Sequence, residues 1–150
     1  MSHWLLKTEP GEFSWDDLAR KKKSAWDGVH NPTALKHIRT MKKGDLALMY
    51  HTGDERAMIG IAEVISSPYR DPSQHDERIV VVDVRAVRKL PNAVTLDQIK
   101  ADKTFAGWDL LRIGRLSVVP VPEKMWKRIE QLAGGSAQGS RSKERDQRGK

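Results

Sequence analysis

Residues 46–65 read LALMYHTGDERAMIGIAEVI, and this stretch sets the fold class that we expect. Two apolar runs, residues 46–51 and 58–65, flank a polar segment that contains Gly53 and Asp54. Apolar runs of this length, separated by a short segment with Gly and Asp, are typical of a β-hairpin. The sequence therefore predicts two strands joined by a turn.

Further strands lie on both sides of this hairpin in the sequence. Residues 3–8 form a short extended run, residues 79–87 alternate β-branched with charged side chains, and residues 116–121 form a last run. Pro120 has no backbone N–H to donate, so we expect an edge strand or a strand end there. Five or so strands with short helices between them predict an α+β fold built on a small curved sheet or barrel.

Capping signals mark where the helices begin. Ser14 and Thr95 are each followed three positions later by an Asp or Gln, which is the arrangement of a capping box. Asparagine followed by proline is a strong start signal, because the first can cap and the second has a helical φ. The predicted helices begin at Ser14, at Asn31-Pro32, at Thr95 and near residue 122, and the second extends to Gly44.

The composition excludes several classes of protein. The chain has 150 residues, no Cys and a net charge of +7. This length predicts a single domain, and the absence of Cys excludes disulfides, thiolate metal ligands and cysteine nucleophiles. No apolar run approaches the roughly 20 residues of a membrane span, and the N-terminal residues lack a signal-peptide pattern. We therefore expect a cytoplasmic protein without membrane contact.

The last stretch of the chain differs in composition from the rest. Residues 134–150 read GGSAQGSRSKERDQRGK, with five basic and two acidic residues. Such a polar segment cannot offset the entropy of ordering, so we predict a disordered basic C-terminal tail after a domain of residues 1–133. A basic balance permits binding to nucleic acid but does not identify it.

The sequence contains little that indicates catalysis. There is no glycine-rich phosphate loop, no nucleophile elbow and no zinc-binding histidine pair of the His-Glu-x-x-His type. His51 precedes Asp54 by three positions, and this pair of an imidazole and a carboxylate leaves a hydrolase as a less favoured alternative, beside a protein-interaction scaffold. His30 and His37 have no third ligand near them in the sequence. We therefore expect a binding protein with no metal site, no cofactor and no enzymatic activity.

Trp26 is the aromatic residue that most suggests a ligand. It lies in a polar loop, between the basic Lys23 and the capped helix that begins at Pro32. A flat aromatic wall suits a flat heterocycle such as a nucleobase. An indole that closes one end of the core explains the same position equally well.

Four stretches of the sequence together resemble the EVE domain, a family of the PUA-like superfamily that includes the thymocyte nuclear protein group. These stretches are WLLKTEP at residues 4–10, WDGVHN at 26–31, MYHT at 49–52 and IGIAEV at 59–64. The resemblance extends from about residue 3 to residue 133. It implies a PUA-like β-barrel with short peripheral helices.

The resemblance also implies a function. An EVE domain is expected to bind DNA or RNA without catalysis and to hold a modified base, methylated or hydroxymethylated, in an aromatic-walled pocket. Such a pocket reads the base by stacking and by hydrogen bonds to its edge, while basic groups outside hold the phosphates. The residues implied for the ligand are Lys7, Thr8, Trp26, Gly28, Val29, His30, Asn31, Tyr50, His51 and Thr52. Those implied for the phosphates are Lys36, Arg39, Lys42 and Lys43.

Some positions depart from the family pattern. His30 stands where many members have Arg, Thr33 and Leu35 where many have Gln and Arg, and Ile79 where some have Trp. Without that Trp, we expect a pocket with only one aromatic face. The main alternative function is binding of a free nucleobase or nucleoside by the same fold. DNA or RNA, the modification and the oligomeric state stay open, with a monomer favoured.

Overall fold

The structure, a computed structural model, describes residues 2–134. Within them the strands are β1 (His3–Thr8), β2 (Lys23–Ala25), β3 (Leu46–His51), β4 (Ala57–Val64), β5 (Tyr69–Arg70), β6 (Val80–Val81), β7 (Asp83–Thr95) and β8 (Val118–Pro120). The helices are α1 (Trp15–Lys21), α2 (Pro32–Thr40), α3 (Leu96–Lys100), α4 (Asp109–Arg112) and α5 (Glu123–Leu132), with a 3₁₀ helix at Lys103–Phe105. Of the tail predicted for residues 134–150, all but Gly134 lies outside the described residues.

Six of the strands form one strongly curled sheet, a half-barrel with the order β2-β7-β4-β3-β1-β8. The predicted hairpin is confirmed, since β3 and β4 pair antiparallel. β1 pairs parallel with β3 and antiparallel with β8, which places Pro120 in an edge strand as predicted. β5 and β6 form a separate two-stranded sheet. The α+β fold with a curved sheet and peripheral helices is thus confirmed.

The core lies against the middle of the sheet. In β3 and β4 nearly every residue is buried, because both faces of these strands are covered. α1 packs against the face of β4, where the Trp15 ring lies over Gly60. On α5, which begins close to the predicted position, Trp126 and Ile129 are buried and Met125 and Leu132 pack beside them.

The helix starts follow the predicted capping chemistry. The Ser14 hydroxyl accepts a hydrogen bond from the Asp17 N–H, and Thr95 accepts one from the Gln98 N–H, each in a complete capping box. The Asn31 side chain accepts a hydrogen bond from the Ala34 N–H at the start of α2. No helix in residues 2–134 has both the length and the apolar character needed to cross a membrane.

Several elements differ from the sequence prediction, and β7, for example, extends to Thr95 instead of ending at residue 87. α2 ends at Thr40 and not at Gly44, because Met41 has an extended backbone and the Asp45 N–H donates to the Lys42 carbonyl in a turn. The strand predicted at residues 79–87 is interrupted at Val82, so its first part pairs with β5 and its second part joins the main sheet. β2 was not predicted, since a polar edge strand pairs through its backbone alone.

The two tyrosines provide a pH-dependent test of this fold. The Tyr69 hydroxyl donates a 2.6 Å hydrogen bond to Asp83 Oδ1, which raises the pKa of Tyr69 to about 12. Burial raises the pKa of Tyr50, the other tyrosine of the chain. Both phenols therefore hold their protons more tightly in the folded state, so we expect stability to fall as the pH rises above roughly 10.

Ultraviolet titration of tyrosinate formation checks this expectation. In Asp83→Asn the carboxylate is lost, so we expect the phenol of Tyr69 to titrate at lower pH. The titration of Tyr50 should be unchanged. Urea-unfolded protein serves as the reference, with both phenols near the ordinary value of roughly 10. Identical titration curves for the wild type and the variant would contradict the assignment.

Candidate functional site

A cavity of about 480 Å³ opens where the end of β1 meets the loop after β2. We call it the Trp26 cavity. Its volume lies within the range of roughly 300–1,000 Å³ that is typical of small-molecule sites. It is lined by Lys7, Thr8, Glu9, Glu12, Phe13, Lys21, Ser24, Ala25, Trp26, Asp27, Gly28, Val29 and Ser117.

The loop that forms one side of this cavity is held at both ends. At its start the Trp26 N–H donates a 2.8 Å hydrogen bond to the Val82 carbonyl, and at its end Asn31 caps α2. Gly28 between them has a φ of +79°, which a glycine adopts without a steric penalty. Val29 turns inward and is buried. The loop therefore presents a fixed backbone to the cavity.

Two aromatic rings meet at the cavity wall. Trp26 is only 6% exposed and belongs to the core, and its ring centroid lies 6.1 Å from that of Phe13. The two ring planes are inclined by 72°, so they do not form parallel walls. Phe13 is half-buried, and Lys21 Nζ lies 5.8 Å from its ring centroid.

Phe13 is a lining residue that sequence reasoning missed. It directly precedes the helix cap Ser14, and an apolar residue there commonly packs against the fourth helical residue, here Leu18. That hydrophobic-staple pattern predicts its position beside α1. The pattern does not predict the cavity, which depends on how α1 packs beside the Trp26 loop.

The polar groups of the cavity carry both signs of charge. Lys7 Nζ donates a 2.9 Å hydrogen bond to the Gly114 carbonyl, and burial lowers the pKa of this ammonium group. Glu9, Glu12 and Asp27, which are exposed, also line the cavity and add carboxylates to it. A ligand would therefore meet both hydrogen-bond donors and hydrogen-bond acceptors in the cavity.

The structure brings five of the ten predicted ligand residues into this cavity: Lys7, Thr8, Trp26, Gly28 and Val29. The other five, His30, Asn31, Tyr50, His51 and Thr52, do not line it. Tyr50 and His51 are buried, with exposed fractions of 4% and 6%. Thr52 does not line the cavity but donates two hydrogen bonds to the carbonyl of the lining residue Thr8, one of 2.9 Å from its N–H and one of 3.3 Å from its hydroxyl.

The surroundings of His51 differ from the pair suggested by the sequence. His51 Nε2 accepts a 3.0 Å hydrogen bond from the Trp15 N–H, and Nδ1 lies 2.7 Å from Glu55 Oε1. The carboxylate partner is thus Glu55 and not Asp54. Both ring nitrogens are engaged inside the protein, so neither is presented to a substrate as the hydrolase alternative requires.

His30 lines a separate cavity of about 290 Å³, together with Arg39 and Ile79. The position at which some family members have Trp therefore does not face the Trp26 cavity. Arg39 donates a 2.6 Å hydrogen bond to the Arg78 carbonyl, and Lys36 is exposed on α2. The other two predicted phosphate contacts, Lys42 and Lys43, are exposed but follow the end of α2 instead of lying on it.

A third cavity, of about 510 Å³, lies at the opposite end of β1. It contains Trp4 and Trp108, but the charged groups among the described residues that line it are Asp109, Glu123 and the titratable His3. Two carboxylates without a Lys or Arg disfavour a phosphate-bearing ligand. In residues 2–134 there is also no cluster of three or more His, Cys, Asp or Glu that could hold a metal ion.

Comparisons with known proteins point to one family. The model of the EVE domain matches residues 2–132. Mouse thymocyte nuclear protein 1 is 31% identical over 157 residues, which cover 82% of this chain and 70% of the mouse protein. A crystal structure of a protein from Agrobacterium tumefaciens has 32% identity and a TM-score of 0.88, covering 95% of this chain and 99% of that one.

One similar structure contains a nucleic acid. It is the crystal structure of human THYN1 protein in complex with DNA that contains 5-methylcytosine. The two chains are 26% identical with a TM-score of 0.83, and the match covers 91% of this chain and 99% of the human one.

Proposed function

The chain belongs to the EVE domain family, and from this premise we propose that it binds DNA and takes a modified cytosine into the Trp26 cavity without altering it chemically. The observation that carries the proposal is the human relative solved with 5-methylcytosine DNA, whose fold matches 91% of this chain. A fold alone does not fix a function, so the chemistry of the cavity has to agree with it.

The acceptors of the cavity suit the edge of cytosine. Cytosine presents an exocyclic amino group, and Asp or Glu carboxylates are its usual protein partners. Glu9, Glu12 and Asp27 supply such carboxylates among the residues that line the cavity. A base must leave the helical stack to reach them, and the half-buried Phe13 beside Trp26 offers an apolar surface in exchange.

The cations of the cavity suit the DNA backbone. Lys7 and Lys21 line it, so phosphates on either side of the flipped nucleotide would find ammonium groups near the cavity. The cavity at the other end of β1 has carboxylates and no such cation among its described lining residues. This difference favours the Trp26 cavity for a nucleotide.

Fluorescence anisotropy with labelled DNA tests the proposal. The panel holds single- and double-stranded DNA and RNA with cytosine, 5-methylcytosine, 5-hydroxymethylcytosine or methylated adenine, at two salt concentrations. We expect at least a tenfold preference for one modified cytosine in DNA, which corresponds to about 1.4 kcal/mol.

Ala25→Ile is the variant that tests the cavity, because Ala25 is an exposed residue of β2 that lines it. A larger β-branched side chain is compatible with a strand and fills part of the cavity without entering the core. We expect it to abolish the preference. Ala93→Ile, at an exposed alanine of β7 outside the cavity, is the control and should keep the preference. Trp26 itself is less informative, since its replacement would open the core.

Other outcomes would count against the proposal. Weak binding to every DNA that disappears with salt would mean that only surface charge acts. Binding of free nucleosides that is insensitive to salt would favour the small-molecule alternative. A preference retained in Ala25→Ile would place the base elsewhere on the protein.

A further inference from the structure

A basic depression of about 730 Å³ lies between α1, the start of β2 and the middle of β7. We call it the basic groove. Its apolar lining consists of Trp15, Ala19, Ile65, Ala86 and Val87, of which Val87 is 41% exposed. Its basic residues are Lys21, Lys22, Lys23, Arg85, Arg88 and Lys89.

Within the described part of the chain, the lysines of the groove have no acidic partner. Arg85 pairs with Glu63 at 2.6 Å and Arg88 with Glu130 at 3.4 Å, both near the protein surface. Among residues 2–134, no carboxylate oxygen lies within 4.0 Å of the ammonium groups of the four lysines. Several like charges in one groove repel one another, and a polyanion laid along it removes that repulsion.

Lys22 adds a second observation. Its φ is +74°, in the left-handed region that side chains other than glycine seldom adopt. It follows the last residue of α1, a position at which a glycine would hold the same turn with less strain. Residues held in such conformations concentrate at functional sites, and this one carries a lysine side chain into the groove.

The groove and the Trp26 cavity share a wall. Lys21 lines both, and its Nζ lies near the ring of Phe13 inside the cavity. We infer that the basic groove holds the phosphodiester backbone of the DNA strand whose modified base occupies the Trp26 cavity. The inference rests on the proposed function, and it places the main phosphate contacts on α1, β2 and β7 instead of the segment from Lys36 to Lys43.

The experiment measures how DNA affinity depends on salt. Each phosphate contact contributes roughly 0.9 to the slope of log K against log salt for duplex DNA and roughly 0.7 for a single strand. In Lys22→Gln/Lys23→Gln/Lys89→Gln we expect this slope to become shallower by about 2. The preference for the modified base should stay within about twofold of the wild type, because phosphate contacts position DNA without reading its bases.

Two other triple variants remove the same charge. Lys100→Gln/Lys103→Gln/Lys124→Gln lies on α3, the 3₁₀ helix and α5, outside both groove and cavity, and should leave the slope unchanged. Lys36→Gln/Lys42→Gln/Lys43→Gln tests the segment suggested by the family resemblance. Equal slope changes in all three triple variants would overturn the inference. A change confined to Lys100→Gln/Lys103→Gln/Lys124→Gln or to Lys36→Gln/Lys42→Gln/Lys43→Gln would overturn it as well.

The same data separate this inference from the proposed function. If the wild type shows no preference for a modified base, the proposed function fails. A shallower dependence of DNA affinity on salt, confined to the groove variant, would still support the groove as the site that binds the DNA backbone.

A comparison of Lys22→Gly with Lys22→Ala separates the loss of the ammonium group from a change in protein stability. Glycine relieves the strained φ, so Lys22→Gly is expected to unfold at a higher temperature than Lys22→Ala. Both variants lose the same ammonium group, and we expect the same several-fold loss of DNA affinity in each. Wild-type affinity in Lys22→Gly would overturn a role for Lys22 in the groove.

Discussion

Replacing Gly60 by alanine is expected to lower the free energy of unfolding by about 3 kcal/mol. A Cβ atom at this position would stand 2.7 Å from three carbon atoms of the Trp15 ring, whereas carbon atoms pack best at roughly 3.5–4.0 Å. Trp15 is 4% exposed and belongs to the core, so its ring cannot move aside without disturbing the packing around it. Either α1 or β4 must therefore move.

This movement should also affect DNA binding. α1 lies between Phe13, which lines the Trp26 cavity, and the lysines at residues 21–23, which line the basic groove. A shift of α1 away from β4 would displace both walls together. We expect the thermal midpoint to fall by roughly 6–12 °C and DNA affinity to fall even where the protein is still folded.

Gly114→Ala is the matched control. A Cβ at Gly114 would meet no atom within 4 Å, and its φ is not in the left-handed region, so stability should not fall. A double-mutant cycle with Trp15→Leu identifies the cause: the two changes together should cost clearly less than their sum. Additive effects would show that the Trp15 ring is not what opposes a side chain at Gly60.

Where local chemistry decides the structure, the sequence was sufficient to predict it. The helix starts at Ser14, Asn31 and Thr95 depend on hydrogen bonds within four residues, and all three form as predicted. The end of α2 depends on tertiary contacts instead. Met41 is buried, and the turn from Lys42 to Asp45 is fixed by the Asp45 carboxylate, which accepts a hydrogen bond from the Lys42 N–H and ends the helix early.

Lys7, Thr8 and Trp26 were named for the ligand by the resemblance to the EVE domain, and the local pattern of the chain agrees with their place at the cavity. Lys7 and Thr8 follow the apolar part of β1, and the Trp26 loop carries its own turn signal at Gly28. Tyr50 and His51 could not be placed in this way. β3 is buried on both faces, so alternation along the strand does not show which residue would face a ligand.

The basic groove could not be read from sequence. The basic residues Lys21 to Lys23 are favourable at the C-terminal end of a helix. Arg85 to Lys89 has the pattern of a strand with one solvent-exposed face. Only the pairing of β2 with β7, in which Lys23 lies opposite Arg85, brings the two segments together. β2 has three residues and no apolar pattern that would reveal this pairing.

The second large effect is expected at Asp45, a carboxylate that is 3% exposed. Its two oxygens accept hydrogen bonds of 3.0–3.1 Å from the Ser2 N–H, the Trp4 indole N–H and the Lys42 N–H. Asp45→Ala leaves these donors without their acceptor, at about 1–3 kcal/mol for each one that stays buried. Since Ser2 is exposed and water can reach it, we expect a total loss of about 4 kcal/mol.

Urea unfolding of Asp45→Ala measures this loss, and Trp4→Phe shows where it comes from. Once the indole N–H is absent, removing the carboxylate should cost at least 1 kcal/mol less, because a buried charge-assisted hydrogen bond no longer exists to be broken. Asp54→Ala, at an exposed carboxylate, should stay within about 0.5 kcal/mol of the wild type. Equal losses in Asp45→Ala and Asp54→Ala would contradict the role of Asp45.

The same variant distinguishes stability from recognition. Asp45 anchors the start of β1 through Trp4, whereas Lys7 and Thr8 line the Trp26 cavity at the end of that strand. Below its unfolding midpoint, Asp45→Ala should therefore keep the preference for a modified cytosine that Ala25→Ile loses while remaining folded. If both variants lost the preference in proportion to their stability, it would depend on the integrity of the whole sheet and not on the shape of the cavity.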